Sequence, residues 1–262
     1  MAGPTTARRG AGQQQDDPAR PPRPTRRRLP SRRLLIVITV GVLLLAAGSV
    51  WALYGSSWFR AEQVTITGVD VLTPAEVEAA AAVPIGAPMV SVDTDAIAAR
   101  LRQKLPRIDS VDVVRSWPHG IGLKVTERKP VLLMKKDTKF IEVDVKGVRF
   151  ATVDRAPKRV PLLELTPDQS ASLRRFGSGR LVREAVRVAG ELPGAVAKDT
   201  QVVRVTSYDS ISLELTGHRT VVWGSGEEGP VKARVLTALM KAAPKVGHFD
   251  VSAPTAPAVS GS

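Results

Sequence analysis

A run of 21 residues without a single charge, Leu34 to Tyr54 (LLIVITVGVLLLAAGSVWALY), constrains this chain more than any other stretch of it. At 1.5 Å per helical residue it reaches ~31 Å, which matches a bilayer hydrocarbon core of about 30 Å. The run therefore predicts one transmembrane helix over 34–54. A cleaved signal peptide is the competing reading, since basic residues precede the run and AAGSVWA contains small ones. Signal peptides carry an apolar core of about 7–15 residues, shorter than this one.

The flanks of the run set its orientation. Arg20, Arg23, Arg26, Arg27, Arg28, Arg32 and Arg33 crowd the amino side, against Arg60 alone within six residues of Tyr54 on the other. Positive-inside bias then keeps the amino terminus cytoplasmic and sends the bulk of the chain to the extracytoplasmic side. Arg32 and Arg33 flank the span at the inner interface. Trp51, Tyr54 and Trp58 are expected at the outer one, where amphipathic rings are favoured.

The formal charge of +13 suggests nucleic acid until its distribution is considered. Residues 1–33 hold nine Arg and two Asp, which accounts for +7 of it. Topology and anionic inner-leaflet lipid explain that charge, and no aromatic residue interleaves with the Arg as a nucleic-acid surface would require. Six prolines among Arg, Gln and Gly in the same 33 residues predict a disordered cytoplasmic tail. Cysteine is absent, so neither a disulfide framework nor a thiolate metal site is available. The three histidines, His119, His218 and His248, lie at no metal-binding spacing from one another.

Beyond the span the residues fall into folded patterns. Phe59 to Ile66 alternates and stops at Gly68, as a strand would. Thr73-Pro74-Ala75-Glu76 is a capping box with proline at the first helical position, so a short helix follows. Asp93 or Thr94 opens a second helix in which Ile97, Leu101 and Leu105 form one apolar stripe. Ile108–Arg115 and Ile121–Glu127 read as antiparallel strands around a Pro118-His119-Gly120 turn. Strand, helix, helix, strand, strand describes a small α+β module over 59–131.

That order, with Arg115-Ser116-Trp117-Pro118 before the last strand and Glu127-Arg128-Lys129-Pro130-Val131 after it, resembles the POTRA domain of the FtsQ/DivIB bacterial cell-division family. The layout of basic tail, one span and then this module is similar as well. The resemblance implies a second, FtsQ-type β domain, here 132–252, and a carboxy-terminal tail over 253–262. The residues there agree with a strand-rich fold: a hairpin about Lys146-Gly147, a strand at 162–165, a helix over 181–192, strands at 201–206, 210–216 and 219–223, a helix over 231–243, and a last strand from Val246 or Gly247.

One catalytic-looking motif has a structural explanation. Gly224-Ser225-Gly226-Glu227-Glu228-Gly229 satisfies the dinucleotide pattern G-x-G-x-x-G between a strand and a helix. Glu227 and Glu228 would repel a pyrophosphate, Pro230 follows the third glycine, and the preceding strands read as antiparallel, so a glycine-rich connection is expected and no cofactor. Neither a nucleophile elbow, a P-loop nor a zinc-protease motif occurs. No metal site and no small-molecule substrate are expected.

The functional expectation falls on the carboxy-terminal segment. A strand arriving last after a helix usually joins a sheet at its edge, where unpaired N–H and C=O groups can accept another chain. The resemblance implies that this surface binds FtsB, which comes with FtsL, and matches it to His248, Phe249, Asp250, Val251, Ser252, Thr255, Ala258 and Val259. Pro254 and Pro257 depart from an unbroken ladder, because proline has no amide donor. The chain is thus expected to be a noncatalytic, single-pass scaffold at the division septum that links FtsB- and FtsL-like partners to septal cell-wall synthases. A membrane-tethered envelope enzyme or sensor is the alternative.

Overall fold

The computed structural model describes the backbone of residues 31–166 and 171–261, with side chains from Gly177 onward in the second stretch. The expected disordered tail lies almost wholly outside the described residues. The apolar run is helix α1 (Arg32–Gly55), which extends the predicted span by two residues at its start and one at its end and has no buried residue. Its hydroxyls are satisfied within the helix: Thr39 donates to the Leu35 carbonyl at 2.9 Å and Ser49 to that of Leu45 at 2.8 Å. That is how a polar side chain is tolerated where no water is present.

The module after it comprises β1 (Gln63–Thr67), α2 (Pro74–Ala81), α3 (Thr94–Lys104), β2 (Ile108–Ser116) and β3 (Gly120–Glu127). The three strands form a sheet in the order β1-β3-β2, with β1 parallel and β2 antiparallel to β3. The capping box forms as expected. The Thr73 hydroxyl accepts from Glu76 N–H at 3.3 Å, and the Glu76 carboxylate accepts from Thr73 N–H at 2.8 Å. The Thr73 hydroxyl also donates to that carboxylate at 2.8 Å, and the two bonds it accepts, the backbone one foremost, hold the Glu76 carboxyl below its usual range. Ile97 and Leu101 of the α3 stripe are buried with Val77, Ala81, Met89, Ile121 and Leu123 between the helices and the sheet. Phe59 lies outside the first strand: Ser57–Phe59 is a 3-10 turn, and Arg60 forms a lone bridge with Pro88 before β1 begins.

The second part contains β4 (Leu132–Lys136), β5 (Lys139–Val143), β6 (Arg149–Val153), β7 (Leu162–Leu165), α4 (Ala171–Glu191), α5 (Gly194–Asp199), β8 (Thr200–Ser207), β9 (Ser210–Leu215), β10 (Thr220–Gly224), α6 (Gly229–Ala242), β11 (His248–Asp250) and β12 (Ala258–Ser260). One nine-stranded sheet runs β12-β11-β10-β9-β8-β7-β4-β5-β6. A positive φ of 64° at Gly177 breaks α4, so the apolar face of the predicted helix, Leu181, Val182, Ala185 and Val188, begins after the break. That face packs with Leu236 of α6 against Val203, Val205, Leu213, Val221 and Trp223. The intervening position on β8, Arg204, points away from this core. It pairs with Glu164 of β7 at 3.0 Å and Glu214 of β9 at 2.7 Å, and these bonds raise its pKa. Apolar residues inside and a ladder of charges outside are what strand alternation requires of a sheet covered on one face.

The end of the chain departs from expectation in two ways. The strand starting near Gly247 is not the sheet margin, because β11 is parallel to β10 on one side and antiparallel to β12 on the other. Residues 253–262 were expected as a tail, yet they contribute β12. The prolines account for both differences. Pro254 and Pro257 occupy the connection between β11 and β12, where missing amide donors cost nothing, and an Ala256 N–H to Ala253 carbonyl bond of 3.0 Å tightens that turn.

Candidate partner-binding edge

The sheet has two free margins, β6 at one end and β12 at the other. β12 is held on its inner side by the register Phe249↔Val259, with His248↔Ser260 and Asp250↔Ala258 flanking it. Its outer side has no partner among the described residues, and Ala258, Val259 and Ser260 are all exposed. Backbone polar groups on such a margin are a template for an added strand.

The eight residues expected to bind a partner separate into two groups. Phe249 and Val251 are buried at 1% and 0% exposure, so their side chains belong to the core. His248 Nδ1 lies 2.7 Å from the Thr220 hydroxyl, a cross-strand tie between paired residues. Asp250 accepts from the Ser252 amide at 2.9 Å and from its hydroxyl at 2.7 Å. Ser252, Thr255, Ala258 and Val259 are exposed, and Ser260 joins the last two as an edge residue that sequence reasoning missed. Three residues are too few to show an alternation, so the signal for β12 was the proline pair itself, read as a hairpin connection. Of the membrane flanks, Arg32 and Arg33 open α1, Trp51 and Tyr54 lie in its last two turns, and Trp58 follows in the 3-10 turn.

The glycine-rich stretch joins β10 to α6, and its glycines serve a neighbouring helix. A Cβ on Gly226 would lie 2.5 Å from a carboxylate oxygen of Glu184, and one on Gly229 would lie 1.6 Å from that of Glu191. Both acids come from α4. Burial pushes the Glu191 carboxyl up, and it pushes the Lys232 ammonium down while that group donates to the Ser225 carbonyl at 2.9 Å. A loop lined by two carboxylates on top of Glu227 and Glu228 repels a pyrophosphate, so the pattern is a packing device. An open cleft of about 480 Å³ is lined by Gln201, Glu214, His218 and Arg219. Its arginine is already engaged with Asp199 at 2.8 Å and with the Thr216 carbonyl at 3.1 Å.

The motifs around the third strand are also used internally. Arg115 donates to the carbonyls of Met89 at 3.1 Å and Val92 at 2.6 Å. Glu127 accepts from the amides of Asp70, Val71 and Leu72 at 2.9, 3.1 and 2.9 Å, which pins the loop between β1 and α2. Arg128 reaches across to Asp144 of the second part and donates to the Pro106 carbonyl at 3.0 Å.

Residues 59–128 match the model of the FtsQ-type POTRA domain. The cell division protein FtsQ of Streptomyces coelicolor is 65% identical over 266 residues, covering 100% of both chains. The chain belongs to the FtsQ family of cell-division proteins. Within that family it is 72% identical to FtsQ of Streptomyces venezuelae over 86% of this chain and 83% of that one. It is 33% identical to FtsQ of Mycolicibacterium smegmatis over 84% and 62%. The major extracytoplasmic domain of DivIB from Geobacillus stearothermophilus aligns with 45% of this chain and 94% of its own, at 17% identity and a TM-score of 0.32, too distant a likeness to carry weight. FtsQ membership makes this a cell-division protein with a POTRA domain and a strand-rich second part, and the apolar α1 is consistent with a single membrane crossing.

Proposed function

We propose that this FtsQ-family chain is a noncatalytic scaffold of the division septum. It would be anchored by α1 with its amino terminus in the cytoplasm, and would capture an FtsB-like partner, together with FtsL, by strand addition to β12. Through that capture it would tie the partners to septal cell-wall synthases. The reading rests most on one observation: β12 ends the nine-stranded sheet with an outer side unpaired among the described residues and with exposed, uncharged side chains. An added strand gains main-chain hydrogen bonds from such an edge and needs few side chains of its own.

Proline substitution tests this reading, because it removes an amide donor without adding charge. Ala258→Pro and Val259→Pro between them reach both sets of strand amides, the outward-facing and the inward-facing. In full-length chains reconstituted with an FtsB/FtsL-like pair, the substitution that takes the outward amide weakens capture at least about tenfold, or about 1.4 kcal/mol. Thr152→Pro on β6, the opposite margin, leaves capture intact. Retained capture with both β12 substitutions, or its loss with Thr152→Pro alone, rejects the assignment.

A further inference from the structure

Of the Arg115-Ser116-Trp117-Pro118 motif, the arginine is used by packing and the tryptophan is not. Trp117 sits in the turn between β2 and β3, where it is 51% exposed. Its ring meets that of Phe59 edge to face, 5.8 Å between centroids and 70° between planes. Trp58, next to Phe59, is 70% exposed. Water is a poor surrounding for two tryptophans and a phenylalanine gathered at one place, and such patches mark contact surfaces.

We propose that Trp58, Phe59 and Trp117 form a lipid-contacting pole of the POTRA domain, which seats this end of the domain in the headgroup layer of the bilayer. The inference rests on α1 being a membrane span. Covalent reach is the first argument for lipid as the occupant. Phe59 lies four positions after Gly55, the end of α1, so their Cα atoms are within ~14 Å of each other even if the chain between them were fully extended. The 3-10 turn at Ser57–Phe59 shortens the distance further. The interfacial layer beyond the hydrocarbon core is itself about 5–7 Å deep on each side. Aromatic rings tethered so close to a span lie at the depth where Trp is enriched.

Rigidity is the second argument. The amides of Glu62 and Gln63 donate to the His119 carbonyl at 2.9 and 3.2 Å, the Arg60 guanidinium donates to the Gly86 carbonyl at 2.8 Å, and Arg115 ties the β2 end of the turn to Met89 and Val92. Trp117 is thereby held beside the segment that leaves the span. Little ordering entropy remains to be lost when the pole meets lipid, which favours binding by a small patch.

The absence of cysteine makes a direct test available, since any introduced cysteine is unique. Spin labels are placed at His119→Cys beside the pole, at Val71→Cys in the loop after β1 at the opposite end of the module, and at Leu44→Cys within α1. The full chain is reconstituted in bilayers of phosphatidylcholine and phosphatidylglycerol without any other protein, and collisions with oxygen and with a water-soluble nickel chelate are measured. The expected result is that the label at 119 loses most of its chelate collisions relative to the label at 71. Trp58→Ser with Trp117→Ser restores those collisions, while Trp117→Tyr, still an interfacial residue, does not. The exposure of both tryptophans predicts an unchanged unfolding temperature for the serine variant, which separates loss of contact from loss of fold. Equal chelate access at 119 and 71 overturns the proposal. So does shielding at 119 that appears only after partner proteins are added, which would make the pole a protein-docking surface. A label at 44 open to the chelate rejects the span itself, and the pole with it; a shielded 44 with an open 119 rejects the pole alone.

Discussion

Gly68→Ala severely destabilises the POTRA domain, whereas Gly86→Ala costs it far less. Both glycines adopt positive φ, 82° and 83°, so alanine pays the same left-handed strain at each, about 1–2 kcal/mol. They differ in what the new methyl meets. At Gly86 nothing lies within 4 Å, but at Gly68 the Cβ would sit 2.0 Å from the Val125 carbonyl oxygen. That oxygen belongs to β3, the central strand of the sheet, and cannot swing aside as a side chain would. Relief requires β1 to separate from β3, and with it the cover over Ile121 and Leu123. The expected loss at Gly68 is at least ~4 kcal/mol, in the range reserved for severe backbone conflicts and comparable with much of a small domain's stability. Urea unfolding of the two variants measures the contrast; losses of equal size would mean that conformational strain, and not the clash, governs both positions.

Arg128→Ala is the second large effect, and it acts at the junction between the POTRA domain and the nine-stranded sheet. Arg128 contacts Asp109 at 3.0 Å within its own domain and Asp144 across the junction, where the Asp144 side chain is 3% exposed. Beside it Arg107 pairs with Glu142 at 2.6 Å, the latter 4% exposed, and its guanidinium lies 5.3 Å from the centre of the Phe150 ring. Lys146 closes the cluster on Asp109 at 2.6 Å. Removing one partner of a buried pair leaves a charge without compensation and costs about 3–5 kcal/mol. Asp144 keeps two amide donors, Lys146 at 2.9 Å and Val148 at 2.8 Å, so the lower end of that range is expected. Asp144→Asn added to Arg128→Ala should recover part of the loss, because it removes the stranded charge; a double variant no better than the single one would contradict this account. Asp109 gives this cluster a pH dependence. The Lys146 hydrogen bond holds its carboxyl below the usual range, so its contribution is complete above about pH 4 and falls away as pH drops through the lowered folded value.

The local signals in the chain translated directly into local structure. Thr73 and Glu76 cap a helix, the Ile97–Leu101 stripe is buried, and alternating Val203 and Val205 face the core while Arg204 faces out. The α5 turn of helix, the β4 strand that begins with buried Leu132 and Leu133, and the three-residue β12 carried too little periodicity to be read. The motif residues Arg115, Glu127 and Arg128 pointed correctly to the FtsQ family, but their tasks were invisible, since each bonds to groups 16 or more positions away.

The amino-acid order alone determined that α1 is apolar and long enough for a bilayer, where α2 and α3 begin, and which faces of the strands are apolar. These properties depend on neighbours within a few residues, and such neighbours are written consecutively. Tertiary structure decided which strand becomes the free margin, which acids of α4 lie over Gly226 and Gly229, and which carboxylates are buried against arginine. Each of those depends on a strand, a helix or a charge that is distant in the chain and adjacent only after folding, so no window of sequence contains both members of the pair.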